Sequence, residues 1–134
     1  MSLKGKNILI TGSARRLGHF FAITAAREGA GVILHYGQSR NEALSTAQEI
    51  ENLGSKCWII NADLEKPSKA ADKIKKILDK ISIYALVNNA SIFEAVKFLD
   101  TSLIQWQRHL DINLTSPFII SPELIMNPKG EALS

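Results

Sequence analysis

Ile8-Leu9-Ile10, Val32-Ile33-Leu34 and Cys57-Trp58-Ile59-Ile60 are short apolar runs in which polar residues do not alternate with apolar ones. A strand with one wet face reads apolar, polar, apolar; a run that is apolar at every position has two dry faces. Two dry faces require helices above and below the sheet. The intervening segments supply them, with helices expected over residues 16–28, closed by Gly29, over 41–53, ended by Gly54, and over 68–80. Strands are expected at residues 7–11, 32–36, 57–61 and 84–88, and a fourth helix runs from a Thr101 N-cap to residue 111. Strict strand–helix alternation of this kind specifies an α/β fold, a Rossmann-like doubly wound parallel sheet, here as a single domain over residues 1–134.

Beyond the fourth helix the reading changes character. Ser116-Pro117 is expected to open a fifth helix, because proline fits a first helical position. Pro122 then predicts a break, or a restart capped by Ser121. Asn127-Pro128-Lys129-Gly130 is a stop signal. A fifth strand would come next in an alternating chain, so the domain is expected to be incomplete, ending after about four strands and the start of the fifth helix.

Composition narrows the classes. Hydrophobic residues make up 46% and charged residues 22%, with a net charge of +3, the balance of an ordinary globular protein. Lys69, Lys73, Lys76 and Lys80 recur at helical spacing opposite Ile74, Ile77, Leu78 and Ile81, which is a solvated helix face. No aromatic residues or nucleic-acid motif accompany it, so no nucleic-acid partner is expected. No apolar stretch approaches the roughly 20 residues of a membrane span. The N-terminus has no signal-peptide pattern, and the expected location is cytoplasmic. Cys57, the lone cysteine, reads as a buried strand residue, and the histidines lack metal spacing, so no metal site is expected.

The chemistry-bearing segment is Thr11-Gly12-Ser13-Ala14-Arg15-Arg16-Leu17-Gly18, between the first strand and the first helix. A glycine-marked turn there lets backbone approach a pyrophosphate, and the helix N-terminus offers N–H groups and a positive dipole. At the end of the second strand an acid would bond the ribose 2′-hydroxyl of NAD and repel a 2′-phosphate. Tyr36 stands there instead, in Leu34-His35-Tyr36-Gly37-Gln38-Ser39-Arg40.

TGSARRLG resembles the TGxxxRxG variant of the short-chain dehydrogenase/reductase motif, which is characteristic of the pteridine reductases. Asn61-Ala62-Asp63-Leu64, Leu86-Val87-Asn88-Asn89-Ala90-Ser91 and Asp111-Ile112-Asn113 follow in the family's order. The resemblance implies NADP(H) as cofactor, held by Thr11, Gly12, Arg15, Arg16, Leu17, Gly18, His35, Tyr36, Ser39 and Arg40. Gln38 stands where the pteridine reductases carry an arginine, and Arg40 lies two positions later. It further implies Asp63 and Leu64 at the adenine, and Asn89, Ala90 and Ser91 around the nicotinamide half. Arg16, Ser91 and Phe93 would meet the substrate, with Phe93 stacking a flat pterin against the nicotinamide. Asn113 matches the family's catalytic asparagine, and helices four and five match its subunit interface.

Each assignment has a plainer counterpart: loop packing for Phe93, a surface salt bridge for Arg16, a solvated helix start for Arg40, a helix-ending residue for Asn113. His19 and His109 read as ordinary helix residues. The family's general acid is a tyrosine followed four residues later by lysine. Here Tyr36 is followed by Arg40 and Tyr84 by Asn88, so the catalytic pair is missing. Three functions remain open: a truncated NADPH-dependent reductase of pterin-like or carbonyl small molecules, a non-catalytic nucleotide-binding or subunit-pairing module, and a fragment shortened by a premature stop. An unpaired, apolar fourth strand favours self-association in all three.

Overall fold

A computed structural model describes residues 2–125. Four parallel strands, β1 (Asn7–Ile10), β2 (Gly31–Tyr36), β3 (Cys57–Asn61) and β4 (Ala85–Val87), form one sheet in the order β3-β2-β1-β4. Ile8 pairs with Val32 on one side and with Ala85 on the other, so β1 lies inside the sheet. The helices are α1 (Arg16–Arg27), α2 (Arg40–Asn52), α3 (Pro67–Leu78), α4 (Leu103–Leu110) and α5 (Ser116–Ile125). This is the doubly wound parallel arrangement that the apolar runs require.

Each strand feeds two cores. Ile8, Ile10, Val32 and Leu34 pack with Ile23 of α1 and Ile50 of α2. Leu9, Ile33 and Ile60 point the other way, onto Ile74 and Leu78 of α3 and Ile120 of α5. Burying a side chain of this size contributes about 1.5–3 kcal/mol, so the layers stabilise the sheet from both faces. Cys57 lies half-buried at the start of β3, and desolvation, with the charge of Glu51 behind it, pushes its thiol up to about 12. Little of it is thiolate at neutral pH. Among the described residues no helix is long and apolar enough to cross a membrane.

The C-terminal helices depart from expectation. α4 is capped by Ser102, not Thr101: the Ser102 hydroxyl accepts the Gln105 N–H at 3.1 Å while the Gln105 side chain accepts the Ser102 N–H at 3.0 Å. This reciprocal capping box stabilises the start one residue later than expected. Ser116-Pro117 does open the fifth helix, α5, as expected, but the chain enters it without a break. A single wide π turn, Asp111–Thr115, joins α4 to α5, and the Ser116 N–H donates to the Asp111 carbonyl across it. The register slip carries the chain through to Pro117 with helical backbone on both sides.

Pro122 does not break α5 either; the helix runs through it to Ile125. Ser121 bonds back to the Pro117 carbonyl at 2.6 Å instead of capping a new start. The burial of Ile120 against α3 holds the helix in place despite the lost N–H. The stop signal at residues 127–130 lies outside the described residues.

Candidate functional site

The strands' carboxyl ends open into a crevice of about 470 Å³. Its floor is the turn from β1 into α1. Gly12 has φ 63, and a Cβ there would sit 2.9 Å from Ala90 Cα, so only glycine lets the two loops meet. Gly18 is tighter still: an added Cβ would lie 2.1 Å from the Gly12 carbonyl oxygen and 2.6 Å from Asn89 Nδ2. Arg15 stands at the N-cap of α1 without a side-chain cap bond, and no acid occupies the first turn. The helix therefore presents its positive end to the crevice, between two arginines that line it.

Arg16 holds φ 55. It is the arginine of the TGxxxRxG pattern, and it is the only non-glycine residue with positive φ among the described residues. An L-residue pays about 1–2 kcal/mol for that conformation.

His35 locks the loop from beneath. Its Nδ1 accepts the Gly12 N–H at 3.0 Å, so Nε2 carries the proton and donates to the Ala62 carbonyl at 2.8 Å. Burial lowers its pKa below 6.5, against the smaller raising effect of the Ala62 bond. A neutral ring is the form that both bonds demand. Ser13 adds a second tie, its N–H donating to the His35 carbonyl at 3.0 Å.

Thr11 and Asn89 staple the opposite wall. The Thr11 hydroxyl accepts the N–H groups of Asn89 and Ala90, each at 3.0 Å. The Asn89 amide donates to the carbonyls of Thr11 and Gly12, each at 3.1 Å. Beyond β3, Asp63 Oδ1 accepts the Glu65 N–H at 2.9 Å, turning Asp63 and Leu64 toward the crevice.

Arg108 of α4 lies on the crevice wall, where it pairs with both Glu65 and Glu94. Hydrogen bonding to Glu65, with the two carboxylate charges behind it, raises its pKa further, so the guanidinium stays charged.

Of the residues expected from sequence, Gly12, Arg15, Arg16, Leu17, Gly18, His35, Tyr36, Ser39, Asp63, Leu64, Asn89, Ala90 and Ser91 line this one crevice. Thr11 lies behind the wall, 2% exposed, as a support. Arg40 opens α2 outside the lining. Phe93 is 90% exposed and also outside it. Asn113 spends its side chain on one residue: Oδ1 accepts the Ile92 N–H at 2.8 Å and Nδ2 donates to the Ile92 carbonyl at 2.9 Å.

Two histidines are more than helix residues. His19 Nδ1 meets the Thr46 hydroxyl at 2.8 Å, joining α1 to α2, and His109 Nε2 accepts the Glu94 N–H at 3.1 Å. Neither these ties nor those of Arg108 leave a local signature, because their partners are distant in sequence. The i, i+4 spacing of His109 and Asn113, on one helical face, is the only hint of a shared target.

The model of the short chain dehydrogenase family matches residues 6–131. The chain belongs to this family. Among its members, 3-oxoacyl-(acyl-carrier-protein) reductase FabG of Aquifex aeolicus is 38% identical over 125 residues, covering 90% of this chain and 49% of that protein. A short-chain dehydrogenase/reductase of Serratia marcescens superposes with a TM-score of 0.89 at 26% identity, over 95% of this chain and 52% of that one. A short chain dehydrogenase of Burkholderia cenocepacia, solved in complex with NADP, gives 0.84 at 29% identity, over 92% and 51%. The chain thus spans about half the length of these family members.

Proposed function

We propose that this chain is the cofactor-binding half of an NADPH-dependent oxidoreductase of the short-chain dehydrogenase family. The observation that carries the reading is the uncapped N-terminus of α1 between Arg15 and Arg16, facing a crevice whose β2 wall ends in Tyr36 rather than an acid. Dipole and guanidinium groups suit the phosphates of a dinucleotide, and the missing carboxylate leaves room for a 2′-phosphate. Ser39 lies on the same wall. NADPH supplies a hydride when bound; Arg15, Arg16 and Ser39 would hold its phosphates, Asp63 and Leu64 its adenine. Two supporting findings are the family match and the NADP complex of the Burkholderia relative.

The finer reading, a pterin-like substrate, rests on Arg16. Backbone strain at a ligand-facing residue persists where the side chain has a task, and here that task is a positive charge near both phosphate and substrate. Phe93, exposed beside the Asn-Asn-Ala-Ser turn, is available to stack on a flat ring. Asn113 positions that loop through Ile92 and so acts on the substrate side indirectly. Exposed Leu114, Phe118 and Ile125 on the α5 side support self-association of the chain.

Calorimetric titration with NADPH and NADH tests the reading. NADPH is expected to bind about tenfold or more tightly, the worth of a charge-assisted phosphate contact. Tyr36→Asp should erase that preference by weakening NADPH alone. Equal binding of both cofactors by the unaltered chain would overturn the proposal.

A further inference from the structure

In the strand order β3-β2-β1-β4, the loop after β3 and the loop after β4 stand at opposite ends of the sheet, with the crevice between them. Glu65 belongs to the first loop and Glu94 follows the second. One guanidinium, that of Arg108, bonds both through different nitrogens, Nε to Glu65 and Nη1 to Glu94. The next residue, His109, takes the Glu94 N–H, and one turn on Asn113 takes both main-chain groups of Ile92. One helix face thus fastens the β4 loop at three points, and Arg108 carries the connection across to Glu65 of the β3 loop, beside a buried bond from the Ser116 hydroxyl to the Leu64 carbonyl at 2.8 Å further along the helix. The side chains of Arg108, Glu65 and Glu94 are 38%, 40% and 32% exposed, so the tie sits at the crevice wall and not in the core.

We propose that Arg108 is a positioning residue that ties the two loops flanking the crevice, so that the adenine end and the nicotinamide end of a dinucleotide are gripped as one unit. This rests on the dinucleotide reading above. A ligand reaching both loops gains from having their spacing set in advance, whereas a ligand confined to one loop gains little. Arginine suits the task because its planar fork serves two carboxylates in fixed directions; lysine offers a point charge on a flexible stem.

The test compares NADPH with adenosine 2′,5′-bisphosphate, which carries only the adenine half, on the unaltered chain, Arg108→Met and Arg108→Lys. Both variants are expected to weaken NADPH by roughly fivefold or more, the lower end of measurable site-to-site coupling. The bisphosphate should hold its affinity. Equal losses for both ligands, or no loss for either, would overturn the proposal. A triple variant, Arg108→Met with Glu65→Gln and Glu94→Gln, separates tying from charge. Restored NADPH affinity would mean that Arg108 only neutralises two carboxylates, and would likewise overturn it; continued weakness supports the tie. Should the unaltered chain bind no NADPH, the dinucleotide reading falls, and hydrogen exchange then judges the tie. Faster exchange at the Glu65 and Glu94 amides together in Arg108→Met upholds it, and unchanged exchange at both sinks it.

Discussion

Replacing Arg16 with glycine should push stability and cofactor affinity in opposite directions. Arg16 sits at φ 55 at the first position of α1, with its side chain on the crevice. An L-residue in this region costs about 1–2 kcal/mol, which glycine does not incur. Against that, glycine enlarges the conformational freedom of the unfolded chain, an opposing effect of about 0.4–1 kcal/mol. The balance favours Arg16→Gly by about 0.5–1 kcal/mol. For a chain of this size that corresponds to an increase of roughly 2–5 °C in Tm. Arg16→Asn, which tolerates the left-handed region, should fall between the two, and Arg16→Val should melt below the parent because a β-branched residue fits there worst.

The same Arg16→Gly change removes a charged donor from the end of the crevice where we propose that the phosphates bind, and NADPH affinity should fall about tenfold or more. Thermal melts and calorimetric titrations on the four proteins read both effects. A glycine variant that melts lower than the parent would refute the strain reasoning. A variant that binds NADPH as well as the parent would refute the ligand role assigned to the guanidinium.

Gly18→Ala should cost about 1–3 kcal/mol of stability, as overpacking does, because its Cβ would meet the Gly12 carbonyl and the Asn89 amide; urea midpoints measure this. His35 predicts acid sensitivity. Its folded pKa lies below the ordinary 6.5, so its contribution is complete above 6.5 and is lost as pH falls from there toward the folded value. Urea midpoints across that range should decline in the parent and decline less in His35→Gln. Finally, the chain alone should show no steady NADPH oxidation with dihydrobiopterin or simple carbonyls. It offers no tyrosine with a lysine four residues on, and a positioned general acid is worth about 10²–10⁴-fold. Turnover that survives repurification and vanishes in an Arg16→Ala, Phe93→Ala double variant would show the chemistry lies elsewhere.

The elements were legible wherever their determinants are local. Cys57–Asn61 is a strand over the bounds its apolar run defines, and the first two helices end beside Gly29 and Gly54 as expected. The glycine-marked turn between β1 and α1 was legible for the same reason, since glycines, strand and helix are adjacent in sequence. Pro122 misled because its local preference against helix is outweighed by packing of Ile120, and the π turn that leads into α5 is announced by no sequence pattern. The crevice walls were legible only in part. His35 could be placed near the β1–α1 turn, but its bonds to Gly12 and Ala62 depend on β1, β2 and β3 lying side by side. Arg108 was invisible because both its partners come from other loops.

The position of β1 has a consequence for how the fold is reached. Of the four strands, the earliest in sequence must hold a partner on each side, and one of those partners, β4, lies far further along the chain than the other. Ile8 can meet Val32 once α1 has folded back, but it meets Ala85 only after three helices and two more strands exist. Closing that distant pair means ordering a long stretch of chain before the contact returns any energy. During that interval Leu9 and Ile10 lack the β4 half of their shelter. The Thr11 carbonyl and hydroxyl, which later hold Asn89 and Ala90, likewise wait for their partners. The crevice is therefore expected late in folding: its floor needs only the first βαβ unit, whereas its second wall needs β4.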